Sequence, residues 1–363
     1  HLASLIYPVV ISSVYRFQAD EIPAAGATTG WQTDALGYFM NSFIYTNVER
    51  DGGFIMRTAD GGGKFVADTQ EWRDGLRYMR SLAEEGLFAT ESFTWKEDQL
   101  KALVENPEAP LVGSVTAGWY GVFSINGGGT GRFADYHPIP PLEGPDGLRQ
   151  AAYFPAAVEY HTKITALADR PDIIAQWADW FYEEPVRNQM LGERFWKEGE
   201  DWRYATEEEK EAQVTRDGRE PSIVLLTEYS YGTESKPFDD GWPRTAIRWA
   251  PVSTTGIPVS ARNDPSRQEW RLMVATRDLY EPYQSSNYLP PNVIFGDEAS
   301  DEITDLTETI ASRNGLVQKW AAEFIVGQRD INDDDDWNRY LSELDRAGVD
   351  RYEELWDEAL RNY

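Results

Sequence analysis

The segment Pro110-Leu-Val-Gly-Ser-Val-Thr-Ala-Gly-Trp-Tyr-Gly-Val-Phe, residues 110 to 123, constrains the fold more than any other part of the chain. Leu111 and Val112 read as a buried strand. Gly113 and Gly118 let the backbone turn sharply, and Trp119 and Tyr120 then arrive together where a helix can begin. Two readings of that ring pair stand side by side. On one, both rings are core closing a strand-helix corner; on the other they are a binding platform, because a flat ring offers apolar area to the C–H face of a sugar and a polar edge to a hydroxyl.

The flanking pattern is strand, helix, strand, helix, which implies an α/β architecture. Residues 31 to 45 place Leu36, Phe39, Met40 and Phe43 at helical spacing, and a strand-like run follows at Gly53 to Arg57. Asp68-Thr-Gln-Glu71 reads as a capping box, with Trp72, Leu76, Met79 and Ala83 as the buried stripe and Gly86 as the stop. A short helix is expected over Gln99 to Glu105. After Gly147, residues 151 to 160 read as extended, and Pro171 opens a helix carrying Ile174, Trp177, Ala178 and Phe181. Residues 197 to 221 read as a polar excursion, Ile223 to Leu226 as a strand and Gln268 to Tyr283 as a helix.

The last third is helical. Ile303, Leu306, Ile310, Val317, Trp320 and Phe324 share one face of a long helix that Gly327 ends. Asp333 to Asp336 sit where the positive end of the next helix dipole favours them, ahead of Trp337, Tyr340, Leu341 and Leu344. A final helix carries Tyr352, Leu355, Trp356 and Leu360. The run from Asp330 fails the calcium-loop test: an EF-hand needs Gly at its sixth position and Glu at its twelfth, where this chain has Asp335 and Leu341. A solvated, capping role is expected, and no metal.

Composition excludes several classes. With 363 residues the chain can bury a large core and is expected to form two domains. It has no cysteine and only three histidines, so disulfides, thiolate chemistry and histidine-centred catalysis have no material, and no cofactor is expected. A net charge of -28 offers nothing to neutralise phosphates, which argues against nucleic acid. The 14 Trp and 19 Tyr exceed what a core needs and point to a carbohydrate or peptide cleft. Leu2 to Val14 is apolar but too short to span a membrane, carries Pro8 and lacks a signal peptide's basic flank; a processed or truncated start is expected.

Five motifs in order resemble the family 1 extracellular solute-binding proteins of ABC importers, in the longer branch of lipoproteins associated with oligosaccharide uptake. They are Asp20-Glu-Ile-Pro23, Arg77-Tyr-Met-Arg-Ser-Leu-Ala-Glu-Glu-Gly-Leu87, Pro138-Ile-Pro-Pro-Leu-Glu-Gly-Pro-Asp-Gly147, Gly199-Glu-Asp-Trp202, and the terminal pair Phe324-Ile-Val-Gly-Gln-Arg-Asp-Ile331 with the run from Trp337 to Gly348. The resemblance implies a periplasmic-binding-protein-like (type II) two-lobe fold with a helical C-terminus, closing by a hinge on ligand held in an interlobe cleft. Residues 24–158 would form the first part of the C-terminal-type lobe. Residues 159–285 would form the remainder of the N-terminal-type lobe, with 197–221 as an excursion, and 286–363 the helical part returning to the first lobe. Most of the N-terminal lobe that the branch carries before Asp20 has no counterpart among the first twenty residues.

By similarity to maltose-binding relatives, Trp119 and Tyr120 fall where a stacking ring lines the cleft, and Tyr38 and Phe39 near another aromatic contact. Trp202 and Tyr288 are further candidate ligand contacts. The function implied is the substrate-binding subunit of an ABC importer: a monomer, extracellular as a lipoprotein or periplasmic, with an oligosaccharide as ligand and a membrane permease as partner. Two alternatives remain open from the residues. One is a glycoside hydrolase, which needs two carboxylates about 5 Å or roughly 6.5–9.5 Å apart. The other is a peptide-binding receptor of the same fold.

Overall fold

The computed structural model of the chain describes residues 9–13, 21–48, 52–108, 110–125, 131–153, 164–183, 199, 202–214, 223–225, 257–258 and 276–363. Two compact units emerge. The larger joins Leu5–Ile125, Arg132–Pro155 and Val274–Tyr363; the smaller joins His1–Ser4, Asn126–Gly131 and Ala156–Met273.

In the larger unit, β1 (Val9–Ser13) is the centre of a three-stranded antiparallel sheet. It is followed by α1 (Ala35–Met40), the hairpin β2 (Ile55–Arg57) and β3 (Gly63–Phe65), α2 (Gln70–Glu84), α3 (Glu97–Val104), β4 (Ser114–Ala117) and β5 (Tyr136–Ile139). Register pairs Val9 with Ala117 on one side of β1 and Val10 with Ile139 on the other. In the smaller unit the described elements are α4 (Pro171–Glu183), β6 (Trp202–Tyr204), α5 (Glu207–Ala212), β7 (Gln213–Val214), β8 (Ile223–Leu225) and β9 (Ile257–Pro258), with β6 paired to β8 and β7 to β9. The stretch expected to be a polar excursion therefore carries a strand, a helix and a second strand. Glu209 ties it together, accepting both donors of Arg203 at 2.6 Å. Trp177 on α4 is 44% exposed.

The chain returns to the larger unit for α6 (Asp297–Leu306), α7 (Leu316–Val326), α8 (Asp334–Ala347) and α9 (Val349–Arg361). The single long helix expected over 303–327 is broken. A wide π turn over Thr307–Ala311 ends in an extended Ser312, and Gly315 then starts α7. The periodicity survives because Ile303, Ile310, Val317, Trp320 and Phe324 all reach one core across the break. The helix expected over 268–283 lies outside the described residues up to 275. Its described end is a π turn over Thr276–Tyr280 and a 3-10 turn over Glu281–Tyr283, with Pro282 denying an ordinary helix its amide.

Local chemistry explains the ends of the helices. Thr69, one residue later than the capping box suggests, accepts from the Trp72 amide at 3.2 Å and starts α2. Asp333 caps α8, whose first turn carries Asp334, Asp335 and Asp336, and Gly327 and Gly348 close helices in the left-handed conformation. The core gathers Trp72, Phe54, Trp320, Phe324, Tyr340 and Tyr352 between α2, the hairpin and α7–α9. Within it the Tyr340 hydroxyl donates to the Ala67 carbonyl at 2.8 Å.

Polar contacts dock the β2–β3 hairpin on α9. Glu353 accepts from the Phe65 amide at 2.7 Å, Asp357 from the Gly63 amide at 3.0 Å, and Arg361 bridges Asp357 at 2.8 Å and Asp60 at 2.9 Å. Hydrogen bonds from Thr58, Arg361 and the Gly62 amide hold the Asp60 carboxyl down at about 2.

Two outcomes follow. Tyr340→Phe leaves the Ala67 carbonyl buried without its donor and is expected to cost about 1–3 kcal/mol in urea unfolding. Because the folded value of Asp60 lies below its unfolded one, the hairpin contact is intact above about pH 4 and is lost as pH falls toward 2. A carboxyl NMR titration should place the Asp60 midpoint near 2 and move it upward in Thr58→Ala; an unchanged midpoint in that variant would refute the assignment.

Candidate functional site

The loop from Ala27 to Asp34 meets the end of β4 at Gly118. Its hydrogen bonds leave little freedom. The Ala27 amide and the Thr116 hydroxyl donate to the Thr33 carbonyl at 3.0 and 2.7 Å, the Thr28 amide donates to Trp95 O at 2.7 Å, and the Glu97 amide donates to Thr29 Oγ1 at 3.0 Å. Asp34 then caps α1 by accepting from the Leu36 amide at 2.8 Å. The loop presents Trp31, which is 43% exposed.

Gly118 is where two tryptophans converge. Its amide donates to the Trp31 carbonyl at 2.9 Å, and Trp119 is its neighbour in sequence. A Cβ at Gly118 would stand 2.7 Å from Trp31 Cδ2 and 2.9 Å from Gln32 Cγ, so the absence of a side chain admits the Trp31 ring. Likewise a Cβ at Gly121 would stand 2.5 Å from Trp119 Cζ3, which places the half-buried Trp119 ring flat on that glycine. The geometry can offer apolar ring area backed by glycine. Glu105 beside this turn is occupied, accepting from the amides of Ile125 at 2.8 Å and Arg132 at 3.0 Å and from the Ser124 hydroxyl.

The structure separates the residues singled out in the sequence. The strand expected at Leu111–Val112 is β4, three residues later, and the ring pair opens one 3-10 turn, Tyr120–Val122, rather than a helix. Of the pair, Trp119 is half-buried while Tyr120 is fully buried against Phe123 and Phe133, with ring centroids at 5.8 and 5.9 Å. Tyr38 and Phe39 lie in the core. Burial raises the Tyr38 phenol above its ordinary value, and its hydroxyl donates to the Pro140 carbonyl at 2.9 Å. Phe39 meets Phe88 edge-on at 5.8 Å.

Tyr288 is half-buried and forms a T-shaped pair with Tyr153 at 4.8 Å, while the buried Tyr45 hydroxyl donates to the Tyr153 carbonyl at 3.4 Å. Trp202 opens β6 in the smaller unit, and its side chain lies outside the described residues. Trp31 is the ring that sequence reasoning passed over. It reads there as the start of a helix, and the signal that distinguishes it is its glycine neighbour across the fold. Among the described residues no group of three or more His, Asp or Glu side chains is placed to hold a metal ion. A concavity of about 560 Å³ along α8, lined by groups such as Asp335, Arg339 and Glu343, is polar and carries none of these rings.

The fold is that of the periplasmic-binding-protein-like solute-binding proteins, mixed α/β with a helical C-terminus. No protein-family model matches the chain. It is 24% identical over 345 residues to the fructooligosaccharide ABC transporter substrate-binding protein FusA of Streptococcus pneumoniae, covering 92% of this chain and 56% of that protein. The chain thus spans a little over half the length of that curated relative. The S. pneumoniae FusA EF-hand mutant in complex with fructo-nystose superposes with a TM-score of 0.63 at 17% identity, over 100% of this chain and 74% of that one. A solute-binding protein associated with an HMO-binding ABC transporter of Bifidobacterium longum infantis gives a TM-score of 0.65 at 16% identity, over 94% and 65%. The likeness read from the five ordered motifs and these comparisons agree. No helix among the described residues is long and apolar enough to cross a membrane.

Replacing Gly118 by alanine should drive the Trp31 ring from its seat and cost about 1–3 kcal/mol by overpacking. A shift of the Trp31 indole N–H resonance, assigned with Trp31→Phe, together with a lower urea midpoint, checks both. An unmoved resonance would contradict the packing described.

Proposed function

We propose that this chain is the substrate-binding component of an ABC importer and captures a neutral oligosaccharide, with Trp119 and Trp31 as stacking rings and Tyr288 as a further ring contact. The observation that carries the reading is the fastened loop that holds Trp31 exposed on Gly118, the residue before Trp119, where hydrophobic area is left open instead of being buried. Sugar rings match such faces through their axial C–H groups. Tyr38, Phe39 and Tyr120 are buried and serve the core rather than the ligand. A net charge of -28 disfavours polyanionic sugars and favours neutral ones.

The relatives support binding over hydrolysis, since each reported above is a substrate- or solute-binding protein. The fructooligosaccharide specificity of FusA and the complex with fructo-nystose make fructose-containing oligosaccharides the first class to test. The partner is a membrane permease, and the chain works outside the membrane that the permease crosses, as a monomer anchored through a lipid or free in a periplasm.

Calorimetric titration with fructo-nystose and with a maltotetraose control should give saturable one-to-one binding to at least one sugar and no release of reducing ends on long incubation. Trp119→Ala should weaken it by roughly tenfold or more, the size of a lost aromatic face. Turnover of the sugar, or silence across a panel of neutral oligosaccharides, would overturn the reading.

A further inference from the structure

The interruption between α6 and α7 places a cation where a continuous helix would not. Arg313 stands in the break, 285 residues in sequence from the segment it reaches. Its Nη1 donates to the Thr28 carbonyl and its Nη2 to the Gly30 carbonyl at 3.3 Å. One turn further, Gln318 donates its Nε2 to Asp34 Oδ2 at 2.8 Å, while the other oxygen of Asp34 caps α1. The C-terminal helices therefore grip the loop on both sides of Trp31.

What is gripped is costly to hold. Gln32, between the two fastenings, has a φ of 57° and is only 4% exposed, and its Oε1 has no hydrogen-bond partner. A residue other than glycine persists in the left-handed region only where its surroundings over-determine it, and an orphaned buried acceptor is a second penalty. Both penalties fall beside the exposed ring. A loop serving only to connect β-structure to α1 would need neither the strain nor the exposure.

Building on the saccharide-binding reading above, we propose that Arg313 is a positioning residue for the ligand site: it fixes the Trp31 loop before ligand arrives, so that binding does not have to order it. The guanidinium suits this task because its donors lie in a rigid planar fork that spans two carbonyls, whereas an ammonium offers a point charge on a flexible stem. Gln318 is its counterpart at the Asp34 end.

The test combines Arg313→Gln, Arg313→Lys, Trp31→Ala and the Arg313→Gln/Trp31→Ala double variant in the full chain, titrated with fructo-nystose and melted thermally. Arg313→Gln should weaken binding roughly three- to tenfold, the cost of ordering a loop side chain on binding, with Arg313→Lys in between. In the Trp31→Ala background it should have little further effect, because its influence runs through that ring. A full additive loss in the double variant, or an unchanged affinity in an Arg313→Gln protein with a lowered melting temperature, would reduce Arg313 to a structural tie and overturn the proposal.

A ligand-free readout keeps the two readings apart. Indole relaxation of Trp31 should show loss of order in Arg313→Gln. Unchanged order overturns the positioning role whatever the sugar result, whereas a wild-type chain silent to every sugar removes the functional reading and leaves the relaxation experiment to decide on the loop.

Discussion

Much of the larger unit depends on one buried guanidinium. Arg73 on α2 is 6% exposed and donates its Nε to the Ile331 carbonyl at 3.1 Å and its Nη1 to Asp334 at 2.8 Å, while its plane lies 5.4 Å from the centre of the Trp337 ring. A charge taken from water is stabilised only when it is paired, and here Nε and Nη1 are answered by the link that turns α7 into α8, while Nη2 is buried without a hydrogen-bond partner. The acidic run from Asp333 thus has two duties: it caps α8, and it neutralises the cation that ties α8 to α2. Trp320 adds a second tie, with Arg329 stacked 3.6 Å from its ring centre and its indole N–H donating to Glu343 at 2.9 Å.

The abundance of rings takes on a different meaning against this core. Trp72, Trp320, Trp337 and Trp356 are buried, as are most of the described phenylalanines and many of the tyrosines, so aromatic content by itself mostly reports packing. What distinguishes the candidate site is the way two rings are held out of the core. Trp31 and Trp119 rest on Gly118 and Gly121, where any side chain would collide with them. The ring surface is thus defined by what is absent beneath it.

The sequence made the amphipathic elements legible. Trp72, Leu76 and Met79 mark α2, and Tyr352, Leu355, Trp356 and Leu360 mark α9, because a buried stripe at helical spacing needs no tertiary knowledge to be seen. The break at 312–315 escaped, since the core face continues across it and the π turn restores the phase of the apolar positions. At the site, adjacency could not say which of Trp119 and Tyr120 turns inward; Phe123 and Phe133 decide that by claiming Tyr120. Trp31 was hidden for the same reason. Its exposure is set by Gly118, far along the chain, and by a left-handed Gln32 that no local propensity favours.

The docking of the hairpin on α9 also bears on when this molecule can exist at all. Strands at residues 55 to 65 have their outer polar groups answered by Glu353, Asp357 and Arg361, some 290 residues later. During synthesis the hairpin is made early and waits for its cover, with Phe65 and its neighbours open to solvent until the last helix emerges. Contacts so distant along the chain are slow to form and leave apolar surface exposed meanwhile. The short, turn-bounded strands of the hairpin, with a Lys at the centre of β3, present little edge to a neighbouring nascent chain, and that is a physical reason for them to be so short.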